Sequence, residues 1–209
     1  QVLIGDSLGM VIQGGSNTRS VTMKDMLYHT SIVSKACQSA LVIADMPFES
    51  YENTELALTN AKQLVSVGAD MVKIEGGREH EEIFRVLSSN DINVCGHLGL
   101  QPQLVIDSSD YKIQGRDKDS AESIMSDAIL LESLGISVLV LECVPSDLAR
   151  NVSSKIGIPT IGIGAGNGCD GQVLVSYGMI GITSGRQPRF VRNFMSSEDS
   201  IALAVSAFV

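Results

Sequence analysis

Four carboxylates each close a short apolar run: Asp6 follows Val2-Leu3-Ile4-Gly5, Asp45 follows Leu41–Ala44, Glu75 closes Met71-Val72-Lys73-Ile74, and Glu142 follows Val138–Leu141. His97 stands in the same way after Ile92–Cys95 and Gly96. One acid behind a strand is ordinarily a turn or helix-capping residue. Four at corresponding positions point instead to a common site. Ionised acids gathered in an enclosed place repel one another and need a compensating cation. Lys73 is the only basic residue at these run ends, so a bound metal is the expected supplement. Oxygen donors select hard ions, Mg²⁺ before Mn²⁺, and a single imidazole disfavours zinc. Lys73 and Glu75 are two apart and so share one face of a strand. There Lys73 either binds an anion, such as a substrate carboxylate, or pairs structurally with Glu75 or Asp45. His97 is open between general acid/base, ligand and structural roles; His29 and His80 read as structural or solvated.

Such residues need elements that bring them together. The apolar runs Val2–Ile4, Leu41–Ala44, Met71–Ile74, Ile92–Cys95, Val138–Leu141, Thr160–Ile163 and Met179–Ile182 are mostly Val- and Ile-rich, as strands buried on both faces should be. Between them lie helical patterns over Thr22–Cys37, Thr54–Val67, Glu79–Leu87, Asp119–Leu134, Ser146–Lys155, Gly171–Tyr177 and Glu198–Phe208. Thr22 with Asp25 is close to a capping box, Asn53 is an N-cap, and Asp119 with Glu122 has capping spacing. Alternating strands and helices predict a parallel sheet, and about 30 residues per repeat fits one βα step. An open doubly wound sheet would concentrate function at one switch point, whereas polar residues at every strand end favour a barrel. The expectation is one α/β domain over residues 1–209, a (β/α)8 TIM barrel whose first strand and preceding helix lie upstream of Gln1. Alone, such an unclosed barrel would have two exposed strand edges and poor solubility.

The 209 residues carry a net charge of −9, which repels phosphate backbones and argues against a nucleic-acid partner. No apolar run approaches membrane-spanning length, so no membrane partner is expected, and the start does not resemble a signal peptide. Cys37, Cys95, Cys143 and Cys169 form no C-x-x-C pair; reduced thiols and a cytoplasmic location are expected. Gly166-Asn167-Gly168-Cys169-Asp170-Gly171 fits G-x-G-x-x-G. A dinucleotide site also needs an acid about 20 residues further on, where Val191 stands instead. Arg186, Arg189 and Arg192 form a small basic cluster, either a receptor for an anionic cofactor tail or a solvated surface.

Seven ordered blocks carry a more specific signal: VLIGDSLGMV (Val2–Val11), ADMPF (Ala44–Phe48), MVKIEGG (Met71–Gly77), CGHLGL (Cys95–Leu100), YKIQGR (Tyr111–Arg116), LVLECVP (Leu139–Pro145) and IGIGAGN (Ile161–Asn167). In these the chain resembles ketopantoate hydroxymethyltransferases over essentially its whole length. The resemblance implies a (β/α)8 barrel that moves a hydroxymethyl group from 5,10-methylenetetrahydrofolate to 3-methyl-2-oxobutanoate through a Mg²⁺-stabilised enolate, giving 2-dehydropantoate in pantothenate biosynthesis. It further implies a Mg²⁺ site of Asp6, Asp45 and Glu75, contacts to the oxo acid from Asp6, Ser7, Asp45 and Lys73, Glu142 as proton acceptor, and a homodecamer. Three positions depart from the family pattern: Gly15 where His usually follows Gly14, Arg19-Ser20 where a Pro is usual, and Arg189 in Pro188-Arg189-Phe190. The alternative enzyme is a Mg²⁺-dependent lyase or mutase of the isocitrate lyase and phosphoenolpyruvate mutase type, whose Cys-Gly-His motif is superficially similar to Cys95-Gly96-His97. A non-catalytic binding protein on a degenerate barrel is the third class, disfavoured by the intact acid set.

Overall fold

Strand propensity and continuous burial produce the expected sheet. The structure, a computed structural model, describes residues 1–107, 111–183 and 187–209. Seven parallel strands lie in the order β1-β2-β3-β4-β5-β6-β7. They are β1 (Val2–Ile4), β2 (Val42–Asp45), β3 (Met71–Glu75), β4 (Val94–Gly99), β5 (Val138–Glu142), β6 (Thr160–Ile163) and β7 (Gly171–Gln172). The order never reverses, so every crossover winds the same way and the sheet curls with one concave face. Among the described residues β1 and β7 each have one unpaired edge. The described strands thus form a curled half-barrel rather than a closed ring.

Alternation along each strand sorts the side chains between the two faces. Val42, Ala44, Val72, Ile74, Val94, Leu98, Leu139 and Leu141 join the main core, which also contains residues of the surrounding helices. Ile43, Met71, Cys95, Val138 and Val140 form a second cluster with Leu3, Ile161 and Ile163 inside the curl. By the same period of two, Asp45, Lys73, Glu75, His97 and Glu142 fall on the inner face, one step beyond that apolar layer.

The helices are α1 (Leu8–Val11), α2 (Met23–Ala36), α3 (Thr54–Ser66), α4 (Glu81–Ser89), α5 (Lys118–Ser133), α6 (Ser146–Lys155), α7 (Ser176–Met179) and α8 (Ile201–Phe208). α2 opens with a full capping box between Thr22 and Asp25, and Asn53 caps α3 by accepting from Leu56 N at 2.9 Å. The cap of α5 is Asp117, which accepts from Ser120 N at 2.9 Å, and not Asp119.

Two sequence expectations are corrected. Met179–Ile182 is not a strand: Met179 N and Ile180 N donate to Val175 O and Ser176 O, closing the single turn of α7. A four-residue apolar run is ambiguous between a strand and a helical turn, and Gly178 and Gly181 flank this one. Gly171–Tyr177 does not begin as a helix: Asp170 Oδ2 accepts from Thr160 N at 2.8 Å and Thr160 Oγ1 at 2.9 Å. This ties the segment back to the start of β6 and lays Gly171-Gln172 beside Ile161-Gly162 as β7. The glycine-rich stretch therefore precedes a strand, with no helix N-terminus to receive a pyrophosphate.

Candidate active site

Strand register sets the site. Asp45 and Lys73 are direct partners across β2 and β3, Glu75 and His97 across β3 and β4, and Gly99 and Glu142 across β4 and β5. Lys73 Nζ lies 2.8 Å from Asp45 Oδ1 and 3.7 Å from Glu75 Oε1. His97 places Nδ1 3.5 Å from Glu75 Oε1 and Nε2 3.3 Å from Glu142 Oε2. An alternating row of charge, Asp45–Lys73–Glu75–His97–Glu142, thus crosses four adjacent strands.

Asp6 joins from β1. Its N–H donates to Asp45 Oδ2 at 3.0 Å, and Gly5 before it leaves room for the Ser7 hydroxyl, which a Cβ there would meet at 3.0 Å. Ser7 is half-buried beside these acids and starts α1 without a side-chain capping bond. Asp6, Asp45, Lys73, Glu75 and His97 are all buried. Glu142 is the most exposed of the set, with its side chain 15% accessible.

Burial, together with the Asp45 and Glu75 charges, holds the Asp6 carboxyl well above the usual range. Burial also pushes Glu75 up, but His97, Lys73 and the Gln103 N–H outweigh it and leave Glu75 below its ordinary value. For His97, burial and the Lys73 charge act downward; Glu142 and Glu75 outweigh them and raise it to about 9. The Lys73 ammonium, despite burial, is held protonated by Asp45, Glu75 and Asp6.

The donor set fits a divalent cation. Counted formally, four carboxylates stand against the one ammonium of Lys73, and Glu75 Oε1 is buried with no hydrogen-bond partner. All candidate donors from Asp6, Asp45 and Glu75 are oxygens, the chemistry of Mg²⁺. The side chains do not form a closed cage: among the described residues no three His, Cys, Asp or Glu are arranged to hold a metal ion. Lys73 Nζ pairs with Asp45 Oδ1, and Gln103 Nε2 donates to Asp6 Oδ2.

Sequence reasoning brought Asp6, Ser7, Asp45, Lys73, Glu75, His97 and Glu142 to one place, and the structure puts them there together. It missed Gln103, Tyr51 and Tyr111. Gln103 is buried and bonded to both Asp6 and Glu75. Tyr111 has its phenol pushed up by burial and by Glu142, Asp6 and Glu75. None closes an apolar run, so residue type alone gave no signal for them. His80 is half-buried edge-on against Tyr51, with ring centroids 5.2 Å apart. The four cysteines are free thiols. Arg189 and Arg192 are exposed, and Arg186, like Ser184 and Gly185, lies outside the described residues. Among the described residues no helix is long and apolar enough to cross a membrane.

Comparison with known proteins adds an independent line. A family model described as ketopantoate hydroxymethyltransferase matches residues 1–209. A 3-methyl-2-oxobutanoate hydroxymethyltransferase of Ruthia magnifica subsp. Calyptogena magnifica is 59% identical over 208 residues, covering 100% of this chain and 80% of the relative. Among solved structures, 2,3-dimethylmalate lyase, a phosphoenolpyruvate mutase/isocitrate lyase superfamily member, aligns with TM-score 0.55 at 17% identity over 75% of this chain and 56% of that one. Phosphonopyruvate hydrolase, in a complex with oxalate and Mg²⁺, aligns with TM-score 0.52 at 11% identity over 70% of this chain and 53% of that one. The chain thus spans little more than half of each of these two proteins, and at such identity the likeness is one of fold.

Proposed function

This chain belongs to the ketopantoate hydroxymethyltransferase family, and on that premise we propose that it transfers a hydroxymethyl group from 5,10-methylenetetrahydrofolate to 3-methyl-2-oxobutanoate, giving 2-dehydropantoate. The observation that carries the reading is the row of charge on the inner face, with Glu142 as its most accessible acid. Asp6, Asp45 and Glu75 would hold Mg²⁺, which when bound supplies Lewis-acid polarisation of the keto group.

The chain's own residues supply the rest. Lys73, buried and charged, meets the carboxylate of the oxo acid, and Ser7 and the two aspartates line the same place. Glu142 takes the C3 proton. Its partner His97 places Nε2 3.3 Å from Oε2 and orients the carboxylate. Glu75 Oε1 lies 3.5 Å from the other ring nitrogen. Water supplies the hydroxyl oxygen: it hydrolyses the methylene bridge, tetrahydrofolate leaves through its nitrogens, and the C3 carbon, its proton gone, attacks the carbonyl carbon of the one-carbon unit so released.

The same reading takes the curled sheet as the larger part of a (β/α)8 barrel, with an eighth strand between the free edges of β1 and β7, and the working enzyme as a cytoplasmic homodecamer. The concave apolar layer of Ile43, Met71, Cys95, Val138 and Val140 supports barrel closure, since barrel interiors are filled by such layers.

The test is deuterium exchange at C3 of 3-methyl-2-oxobutanoate in D₂O with Mg²⁺, followed by proton NMR. The wild type is expected to exchange and Glu142→Gln to lose exchange by about 10²-fold or more. Undiminished exchange in Glu142→Gln overturns the role of Glu142, and absence of exchange in the wild type overturns the function.

A further inference from the structure

Gln103 spends every polar atom it has on the acid cluster and its surroundings. It lies in a 3₁₀ turn over Pro102–Leu104 that follows β4, with Pro102 at the first position. The N–H groups that open a helical turn have no partner within it, and that of Gln103 donates to Glu75 Oε2 at 3.0 Å. The side-chain amide donates from Nε2 to Asp6 Oδ2 at 2.9 Å and to Met46 O at 2.9 Å. Its oxygen accepts from Tyr51 Oη at 2.6 Å. The main-chain carbonyl accepts from Arg19 Nη1 at 3.4 Å, and the same guanidinium lies 3.7 Å above the Phe48 ring.

This network admits one amide orientation. Rotating the amide by half a turn would set Oε1 against two acceptors, Asp6 Oδ2 and Met46 O, and would take the acceptor away from the Tyr51 hydroxyl. A buried mispaired group of this kind is costly. Gln103 also links acids that the sheet does not link: Asp6 follows β1 and Glu75 ends β3, with β2 between them. Each acid gives one oxygen to Gln103, which holds two mutually repelling carboxylates at a set separation.

We propose that Gln103, oriented by Tyr51, is a positioning residue that fixes Asp6 relative to Glu75 and so sets the affinity of the cluster for a divalent cation. The inference rests on the metal reading given above. It assigns no chemical step to either residue.

The test is a double-mutant cycle on cation binding, read without turnover. Mn²⁺ is titrated into wild type, Tyr51→Phe, Gln103→Ala and the double variant, with free Mn²⁺ followed by electron paramagnetic resonance and folding by thermal melting. Tyr51 is not itself a cation donor in this scheme, and Tyr51→Phe, which removes one hydroxyl, is expected to stay folded even where Gln103→Ala is too unstable to assay. Tyr51→Phe is expected to weaken Mn²⁺ binding about five- to tenfold, the scale of one buried hydrogen bond. Gln103→Ala is expected to weaken it more, and the double variant no further than Gln103→Ala, because both act through one amide. Wild-type affinity in Tyr51→Phe, or additive losses in the double variant, overturns the proposal. Failure of the wild type to bind Mn²⁺ overturns the metal reading, and the positioning role falls with it.

Discussion

Lys73 and Asp45 face each other across the β2–β3 ladder, and their charges meet at 2.8 Å with side chains only 5% and 3% accessible. Lys73 also serves Glu75 at 3.7 Å, so the two partners are not equivalent. Removing one member of a buried pair leaves an uncompensated charge, a loss of about 3–5 kcal/mol. Lys73→Met strands two carboxylates and is expected to cost the upper part of that range. Asp45→Asn leaves Lys73 with Glu75 and is expected to cost less. Urea denaturation of the two variants at neutral pH checks the order; equal losses would mean that Glu75 contributes nothing to holding Lys73.

Gly99 places the carbonyl of Glu142. Its φ is +96°, a conformation that non-glycine residues rarely adopt, and a Cβ there would run into Glu142 O and the Val144 side chain. This close approach lets Leu100 N donate to Glu142 O at 2.9 Å. Gly99→Ala is expected to push β4 from β5 beside Glu142, costing about 2–4 kcal/mol by analogy with other strained or overpacked substitutions. Proton exchange at C3 is expected to fall further than the folded fraction does. Loss of exchange in strict proportion to unfolding would reduce Gly99 to a purely structural role.

Much of this site could be read in the sequence, for a physical reason. Parallel strands buried on both faces are nearly continuous apolar runs, so a charged residue at the end of one is conspicuous, and Asp6, Asp45, Glu75 and Glu142 all were. Their convergence follows from strand order alone once the sheet winds in one direction. Gln103 and Tyr51 were not legible because their importance lies in hydrogen-bond direction, which depends on tertiary placement of loops far apart in the chain. Met179–Ile182 misled because its apolar content is equally suited to a strand or to the helical turn it forms. Gly171-Gln172 became a strand through Asp170 binding back to Thr160, a contact that no local pattern announces.

Acid sensitivity is expected at two carboxylates outside the site, the half-buried Asp25 and the exposed Asp170. Hydrogen bonds from the Thr22 side chain and backbone hold Asp25 below its ordinary range, and those from the Thr160 backbone and side chain do the same for Asp170. A carboxyl depressed by folding adds stability that is present above its unfolded value, about 3.9, and is lost as pH falls through the folded one. Asp25→Asn and Asp170→Asn are therefore expected to be less stable than wild type at pH 6, with the gap closing as pH falls below about 4. Thermal melting across this interval checks the sign, and a gap that widens toward low pH would contradict it.

Cys95 separates the transferase reading from the lyase or mutase alternative. It lies within β4 rather than in a loop, wholly buried, packed with Ile43, Met71, Val138 and Val140 inside the curl. Burial pushes its thiol up to about 12, so at neutral pH it is a protonated apolar filler and a poor proton donor or nucleophile. Cys95→Ala is expected to cost about 1 kcal/mol through the small cavity it leaves, while C3 proton exchange of 3-methyl-2-oxobutanoate stays within about twofold of wild type if, as proposed, Glu142 is the base. The measurement pairs the NMR exchange rate with urea denaturation of the same sample. A collapse of exchange in a stably folded Cys95→Ala protein would place the thiol in the chemistry and move the assignment toward the Cys-Gly-His lyases.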